Sequence, residues 1–305
     1  MFRSSNRAAN DMDAYQRGYP GKLGLDDAAK DQNLRFYQNN MPSRPDGALI
    51  DTIHKKWWGR YGGLERHHGY IQWLFPIHES GMNWESQVLQ RHEAVAISSD
   101  AALQARVLVS YRLMLDFYGM QLADEQTGEV RRRPAGQFEE RYRNLNTSSH
   151  NYLRITRILK SLGEFGLERL KLPFLRFFLS EATLHGHLRN ALRSCLDYWV
   201  PCLRQKADRD ALASEHTAMK HQKRKRGPDG GGSATADASA PERGREQGQR
   251  SKVAHGSSAE VNVVDDDDDD DLSAAAASGK RSKPDDDDDS QATELDAVTV
   301  AVDRA

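Results

Sequence analysis

All 24 aromatic side chains of this 305-residue chain lie before residue 211. The 95 residues from 211 to 305 hold no Phe, Tyr or Trp, and a segment without aromatics has little from which to build a core of its own. That asymmetry predicts a single folded domain over 31–210. A mostly flexible leader (1–30) precedes it and a disordered, low-complexity acidic tail (211–305) follows. Charge divides at the same place. The formal net charge is -2, yet residues 1–210 carry 30 basic and 24 acidic side chains (net +6), against 13 and 21 (net -8) in 211–305. About 180 residues are enough for a substantial core.

Within the domain the apolar residues recur at helical spacing. Ile50, Ile53, Trp57 and Tyr61 form one stripe, with Gly62-Gly63 read as its break. Leu64, His68, Ile71 and Phe75 form a second, and Val88, His92 and Val95 suggest a third. The clearest is Leu103, Val107, Tyr111, Met114 and Tyr118, with N-cap candidates at Ser98-Ser99-Asp100 and Gly119 at its end. A polar turn at 124–129 allows a short hairpin. Later stripes run through Tyr142, through Tyr152 to Leu162, through Phe174 to Phe178, and from Leu188 to Trp199. No run alternates with period two. The chain therefore reads as all-α, one multi-helix domain of about eight or nine helices.

Several function classes lack their residues. Cys195 and Cys202 are the only cysteines, which leaves no disulfide scaffold and no four-cysteine zinc site. His67-His68 and His185-Gly186-His187 are pairs without a third converging ligand, so no metal is expected. Phosphate-binding glycine loops and nucleophile elbows are missing, Cys195 sits on an apolar seam, and no cofactor is expected. The reading is non-enzymatic. No apolar run reaches the roughly 18 residues that a transmembrane segment needs. Met1-Phe2-Arg3 is not followed by the apolar stretch of a secretory leader.

Two charge patterns point to partners. Arg131 to Arg133, Arg141, Arg143, Arg154, Arg157 and Lys160 suggest a basic surface for phosphates or an acidic partner. Nucleic acid is thus the alternative partner, resting on charge without any base-reading motif. Lys223, Arg224, Lys225 and Arg226 match a short nuclear import signal. Seven consecutive aspartates (265–271) and five more (285–289) suit basic proteins or serve solubility.

Longer blocks carry more information than these motifs. Asn33-Leu34-Arg35-Phe36-Tyr37-Gln38-Asn39, Gly69-Tyr70-Ile71-Gln72-Trp73-Leu74-Phe75-Pro76 and Ser110 to Gly119 follow one another in order. Arg141 to Asn146, Ser149 to Glu164 and Pro173 to Leu179 complete the series. Together they resemble the conserved domain of the opioid growth factor receptor family. The resemblance implies a receptor-like module that binds a peptide or protein partner, with the opioid pentapeptide as the named ligand. It also implies a link to growth regulation and a nuclear location, with a cytoplasmic or perinuclear pool. The family supplies no catalytic or ligand-contacting set to carry over. Within the matching blocks, Arg112, Asp116, His150, Asn151, Arg154, Arg157 and Glu164 have no evident need of burial. With Trp58 and Trp84, the two tryptophans freest of core duty, they form the expected binding surface. Trp57 and Trp73 are expected in the core.

Overall fold

The first helix lies where a flexible leader was expected. The structure is a computed structural model that describes residues 10–20 and 26–226, and it begins with α1 (residues 10–16). Tyr15 on α1 and Tyr19 just after it are 0% and 1% exposed, so this part of the leader belongs to the core. A left-handed turn at Gly18 and Tyr19 brings the two rings together, with centroids 6.0 Å apart.

Five helices follow: α2 (Gln32–Tyr37), α3 (Ile50–Lys56), α4 (Tyr61–Arg66), α5 (Tyr70–Leu74) and α6 (Arg91–Ser99). The two stripes expected between residues 50 and 75 are thus divided among three short helices. The first break is at Gly59, whose φ of +77° is left-handed, while Gly62-Gly63 sits inside α4. His67 to Gly69 make the second break. His68, placed in the second apolar stripe by its spacing, is consequently exposed. The buried face of α6 also differs from the expected one: it is Glu93, Ala94 and Ile97, and Val95 points to solvent at 58% exposure.

α7 (Ala101–Phe117) is the long central helix that the sequence predicts. Asp100 caps it, accepting from the N–H groups of Ala102 (2.8 Å) and Leu103 (3.0 Å). Gly119 ends it at φ +78°, where an added Cβ would stand 2.9 Å from Cβ of Arg141. The hairpin is present: β1 (Met120–Leu122) pairs antiparallel with β2 (Val130–Arg132), Met120 opposite Arg132. Then come α8 (Glu139–Thr147), α9 (His150–Glu164) and α10 (Lys171–Ser180). The expected last core helix is broken into 3₁₀ and π turns around α11 (Leu192–Ser194), though Leu188, Cys195 and Trp199 are buried as foreseen.

The chain stays helical past residue 210. α12 (Lys206–Arg226) buries Leu212 and His216, so the ordered domain runs beyond the expected boundary. Both aspartate runs and the rest of 227–305 lie outside the described residues. Trp73 is fully buried and Trp57 half-buried, as expected of core rings.

One buried carboxylate joins two helix starts. Asp31 makes no side-chain cap for α2. Instead Glu93 Oε1 accepts from the N–H groups of Asn33 (2.8 Å) and Leu34 (3.1 Å). Its Oε2 accepts from Gln90 N (2.9 Å), Asn33 Nδ2 (2.9 Å) and Gln87 Nε2 (3.1 Å). Gln90 N–H is the N-cap amide of α6, so one side chain satisfies donors of both helices. Glu93 is 0% exposed, and none of these partners is a formal cation. Glu93→Gln should therefore destabilise the domain by about 1–3 kcal/mol, because an NH2 replaces an oxygen facing three donors. Urea unfolding followed by tryptophan fluorescence measures the change, and an unaltered midpoint would contradict it.

Candidate functional site

α9 carries most of the expected site residues, and the fold turns them inward. Arg154 and Lys160 are each 5% exposed. Arg154 spreads its guanidinium over the end of α4. It donates to the carbonyls of Leu64 (3.0 Å), Glu65 (3.3 Å) and His67 (2.8 Å), and its Nη2 lies 2.9 Å from His68 Nδ1. A cation at these carbonyls suits the negative end of a helix. Arg157 donates from Nε to Phe75 O (2.8 Å), and burial draws its pKa down to about 10 against the pull of Glu79 and Tyr19. Lys160 Nζ binds both oxygens of Glu79 (2.8 and 2.9 Å).

His150 and Asn151 join Arg154 around Glu65. His150 Nε2 is 2.7 Å from Glu65 Oε1, and Asn151 Nδ2 donates to Oε2 (3.3 Å), as does Asn144 Nδ2 (3.0 Å). Burial opposes ionisation of Glu65, but these hydrogen bonds and the neighbouring cations outweigh it and hold the carboxyl below its ordinary value. Asp116 is ion-paired with Arg133 and accepts from Tyr61 Oη (3.0 Å), while Arg112 pairs with Glu125. Trp58 (43% exposed) and Trp84 (87%) are on the surface, as expected. The charged and polar members of the expected set are thus divided among several networks, and the two tryptophans stand apart from them on the surface.

Glu164, at the end of α9, is the member that reaches a cleft. This cleft, about 430 Å³, lies between the leader, α6 and the end of α9. Its floor is a chain of paired charges. Glu164 Oε1 is 2.7 Å from Arg204 Nη2, and its Oε2 is 3.3 Å from His78 Nε2; His78 Nδ1 lies 2.7 Å from Leu89 O. Arg17 and Gln16 form one wall; Arg91, Ala94, Val95 and Ser98 form the other.

The leader wall is anchored from beneath. The Tyr15 ring has Arg204 Cζ at 4.6 Å, Lys171 Nζ at 5.1 Å and Lys160 Nζ at 5.5 Å from its centroid. Its hydroxyl donates to Lys160 O (3.3 Å) and accepts from Lys171 Nζ (2.5 Å). Burial pushes the Tyr15 phenol well above its ordinary pKa, so it stays protonated. Lys171, fully buried, also meets Glu168 (2.7 Å) and Cys202 O (3.0 Å). Tyr19 donates to Glu79 (2.6 Å) and stacks edge-on against His78. Sequence reasoning missed Tyr15, Tyr19, His78, Lys171 and Arg91 as neighbours, since they come from four distant stretches.

Among the described residues no cluster of three His, Cys, Asp or Glu is placed to hold a metal ion, and no helix is long and apolar enough to cross a membrane. The fold and cleft define a helical domain with many of its charges paired inside and a charged cleft at the end of α9.

The profile of the opioid growth factor receptor conserved region matches residues 26–229, and the chain belongs to that family. The mouse opioid growth factor receptor is 44% identical over 227 residues, covering 74% of this chain and 35% of that protein. The human receptor is 42% identical over 215 residues (70% and 31%). Opioid growth factor receptor-like protein 1 of Xenopus tropicalis is 42% identical over 206 residues (67% and 40%). The chain therefore spans well under half the length of these relatives. No solved structure matches it.

The leader's seat depends on Gly163, a buried residue inside α9. A Cβ there would collide with the Tyr15 hydroxyl and stand 2.5 Å from Lys171 Nζ. Gly163→Ala should release the leader while α9 persists. Trypsin would then cut after Arg17 at least tenfold faster than in the wild type at an unchanged helical circular dichroism signal. Equal cleavage rates would show that the seat does not depend on this glycine.

Proposed function

We propose that the domain is a non-enzymatic, receptor-like module that binds a peptide or protein partner and acts in growth regulation. The observation that carries this reading is the loop after α5. Met82 is 93% exposed and Trp84 87% exposed, yet the residue between them is fixed. Asn83 Nδ2 donates to Arg44 O (2.6 Å), and Ser86 Oγ donates to Asn83 O (2.8 Å). A Met and a Trp held out on a pinned loop have the composition and low ordering cost of an interface anchor. The non-enzymatic reading draws on the receptor name of the relatives and on the two thiols: burial pushes Cys202 up to about 12 and Cys195 well above its ordinary value.

The relatives' name and the resemblance in the conserved blocks make the opioid pentapeptide the first ligand to test. Titration of the protein, followed by tryptophan fluorescence with a scrambled peptide as control, should give saturable one-to-one binding. Trp84→Ala should weaken it at least tenfold, the scale of an aromatic anchor. No binding would remove the pentapeptide from consideration without touching the family assignment.

Location in the nucleus is part of the proposal. Lys223, Arg224 and Lys225 are exposed on the last turn of α12, accessible to an import receptor. Replacing residues 223–226 by Ala should shift a fluorescently tagged protein to the cytoplasm, and unchanged nuclear accumulation would refute the signal. The aspartate runs are proposed for basic protein partners. The nucleic-acid alternative has less support, because Arg131, Arg132 and Arg133 pair with Glu129, Glu181 and Asp116.

A further inference from the structure

We infer that the cleft between the leader and α6 docks an acidic peptide segment, with its carboxylates on Arg17 and Arg91 and its apolar part on Val95. This rests on the reading of the domain as a partner-binding module and names the chemistry of one partner. Three observations lead to it.

The floor has no charge left for a ligand. Glu164 is the one carboxylate lining the cleft, and Arg204 and His78 already face its two oxygens. A basic ligand would have to displace Arg204, whose guanidinium also covers the Tyr15 ring.

The walls carry positive charge that is unpaired on Arg91 and loosely paired on Arg17. Arg91 has no side-chain ion pair among the described residues. The partner of Arg17 is Asp13, one turn earlier on the same surface, and both side chains are about 60% exposed (62% and 60%). Such a pair is weak and exchanges readily for a better carboxylate. Two guanidiniums on opposite walls can each take a carboxylate in the bidentate geometry that Arg favours.

The α6 wall also offers an apolar contact. Val95 is 58% exposed on a helix whose neighbouring Ala94 and Ile97 are buried. An acidic segment with an aliphatic residue between its carboxylates meets both features at once. At about 430 Å³ the cleft is of the size that takes a few side chains rather than a duplex. Because Arg17 stands on the leader, this site is complete only while Tyr15 and Tyr19 are seated.

The test uses the full chain and a fluorescein-labelled pentapeptide amide, Asp-Leu-Asp-Val-Glu, read by fluorescence anisotropy at 50 mM salt. The control is the uncharged Asn-Leu-Asn-Val-Gln. The acidic peptide should bind and the control should not. Arg17→Ala with Arg91→Ala should weaken binding at least tenfold, and Val95→Ala alone about threefold, well below the effect of fully burying two methyl groups because an open cleft covers the side chain only in part. Raising salt to 300 mM should weaken the wild type severalfold and the double variant little. All three positions are exposed, so circular dichroism should report an unchanged fold. Equal affinity for both peptides, or an affinity indifferent to the double substitution, would overturn the inference. So would a 12-mer oligothymidine that binds more tightly and loses affinity in the same variant, which would make the site one for nucleic acid. If the opioid pentapeptide binds through Trp84 and the acidic peptide does not bind, this inference alone falls. If neither binds, the module reading falls with it.

Discussion

Three cations on one helix hold the first half of the domain in place. Arg154, Arg157 and Lys160 recur every third residue on α9, so they lie along one face and meet successive points of a single stretch of chain. Arg154 takes the carbonyls of residues 64, 65 and 67, Arg157 that of residue 75, and Lys160 the carboxylate of Glu79. That stretch contains only short helices and no sheet, so its carbonyls have few backbone donors. Left unpaired beside a helix they would each cost about 1–3 kcal/mol. α9 supplies the donors as side chains, and in doing so sets where α4, α5 and the loop to Glu79 can lie. Burying the cations is tolerable only because each finds its acceptors.

The same helix explains why the leader folds back. Past Lys160 the next turn is Gly163, and its missing side chain leaves a hollow bordered by Lys171 and Glu168. A cation in such a hollow needs an acceptor and a π face more than it needs another apolar side chain. Tyr15 supplies both in one residue. Tyr19 then covers Glu79, the counter-ion of Lys160, and places the leader against His78. The N-terminal segment is therefore less an appendage than the closing part of a polar core that α9 begins.

What was legible in the sequence follows from which forces leave a periodic trace. α7 was readable because its apolar residues, its Asp100 cap and its terminal Gly119 all obey local rules. The hairpin was readable from its polar turn. α6 was misread because its buried face holds Glu93, and a carboxylate satisfied by five hydrogen bonds looks like a surface residue to any hydropathy pattern. Arg154, Arg157 and Lys160 were misread for the same reason: their spacing was noticed, but spacing does not say which way a charged face turns. The order of the leader was illegible because Tyr15 and Tyr19 are held by groups from residues 78 to 204. Of the candidate site, Glu164, Trp58 and Trp84 were in the expected set, whereas the cleft walls were not, since they are a consequence of how the leader docks.

The inward turn of these charges bears on what the domain can recognise. A net charge of +6 over residues 1–210 suggests a broad positive field, of the kind that draws nucleic acid. Arg131 to Arg133, Arg154 and Lys160 account for much of the apparent basic surface, and each is engaged by a carboxylate or a row of carbonyls. A charge pair closer than 4 Å has little reach beyond a Debye length of about 8–10 Å. What an approaching partner meets is the exposed cations that are unpaired or only loosely paired; at the cleft these are Arg91 and Arg17, the latter held by the exposed Asp13. Local, directional cations beside an exposed aliphatic side chain select by shape and by the spacing of carboxylates. A diffuse field would select by total charge alone. The internal pairing on α9 thus does two things together: it fixes the fold, and it withdraws Arg154 and Lys160 from the surface field that a partner meets.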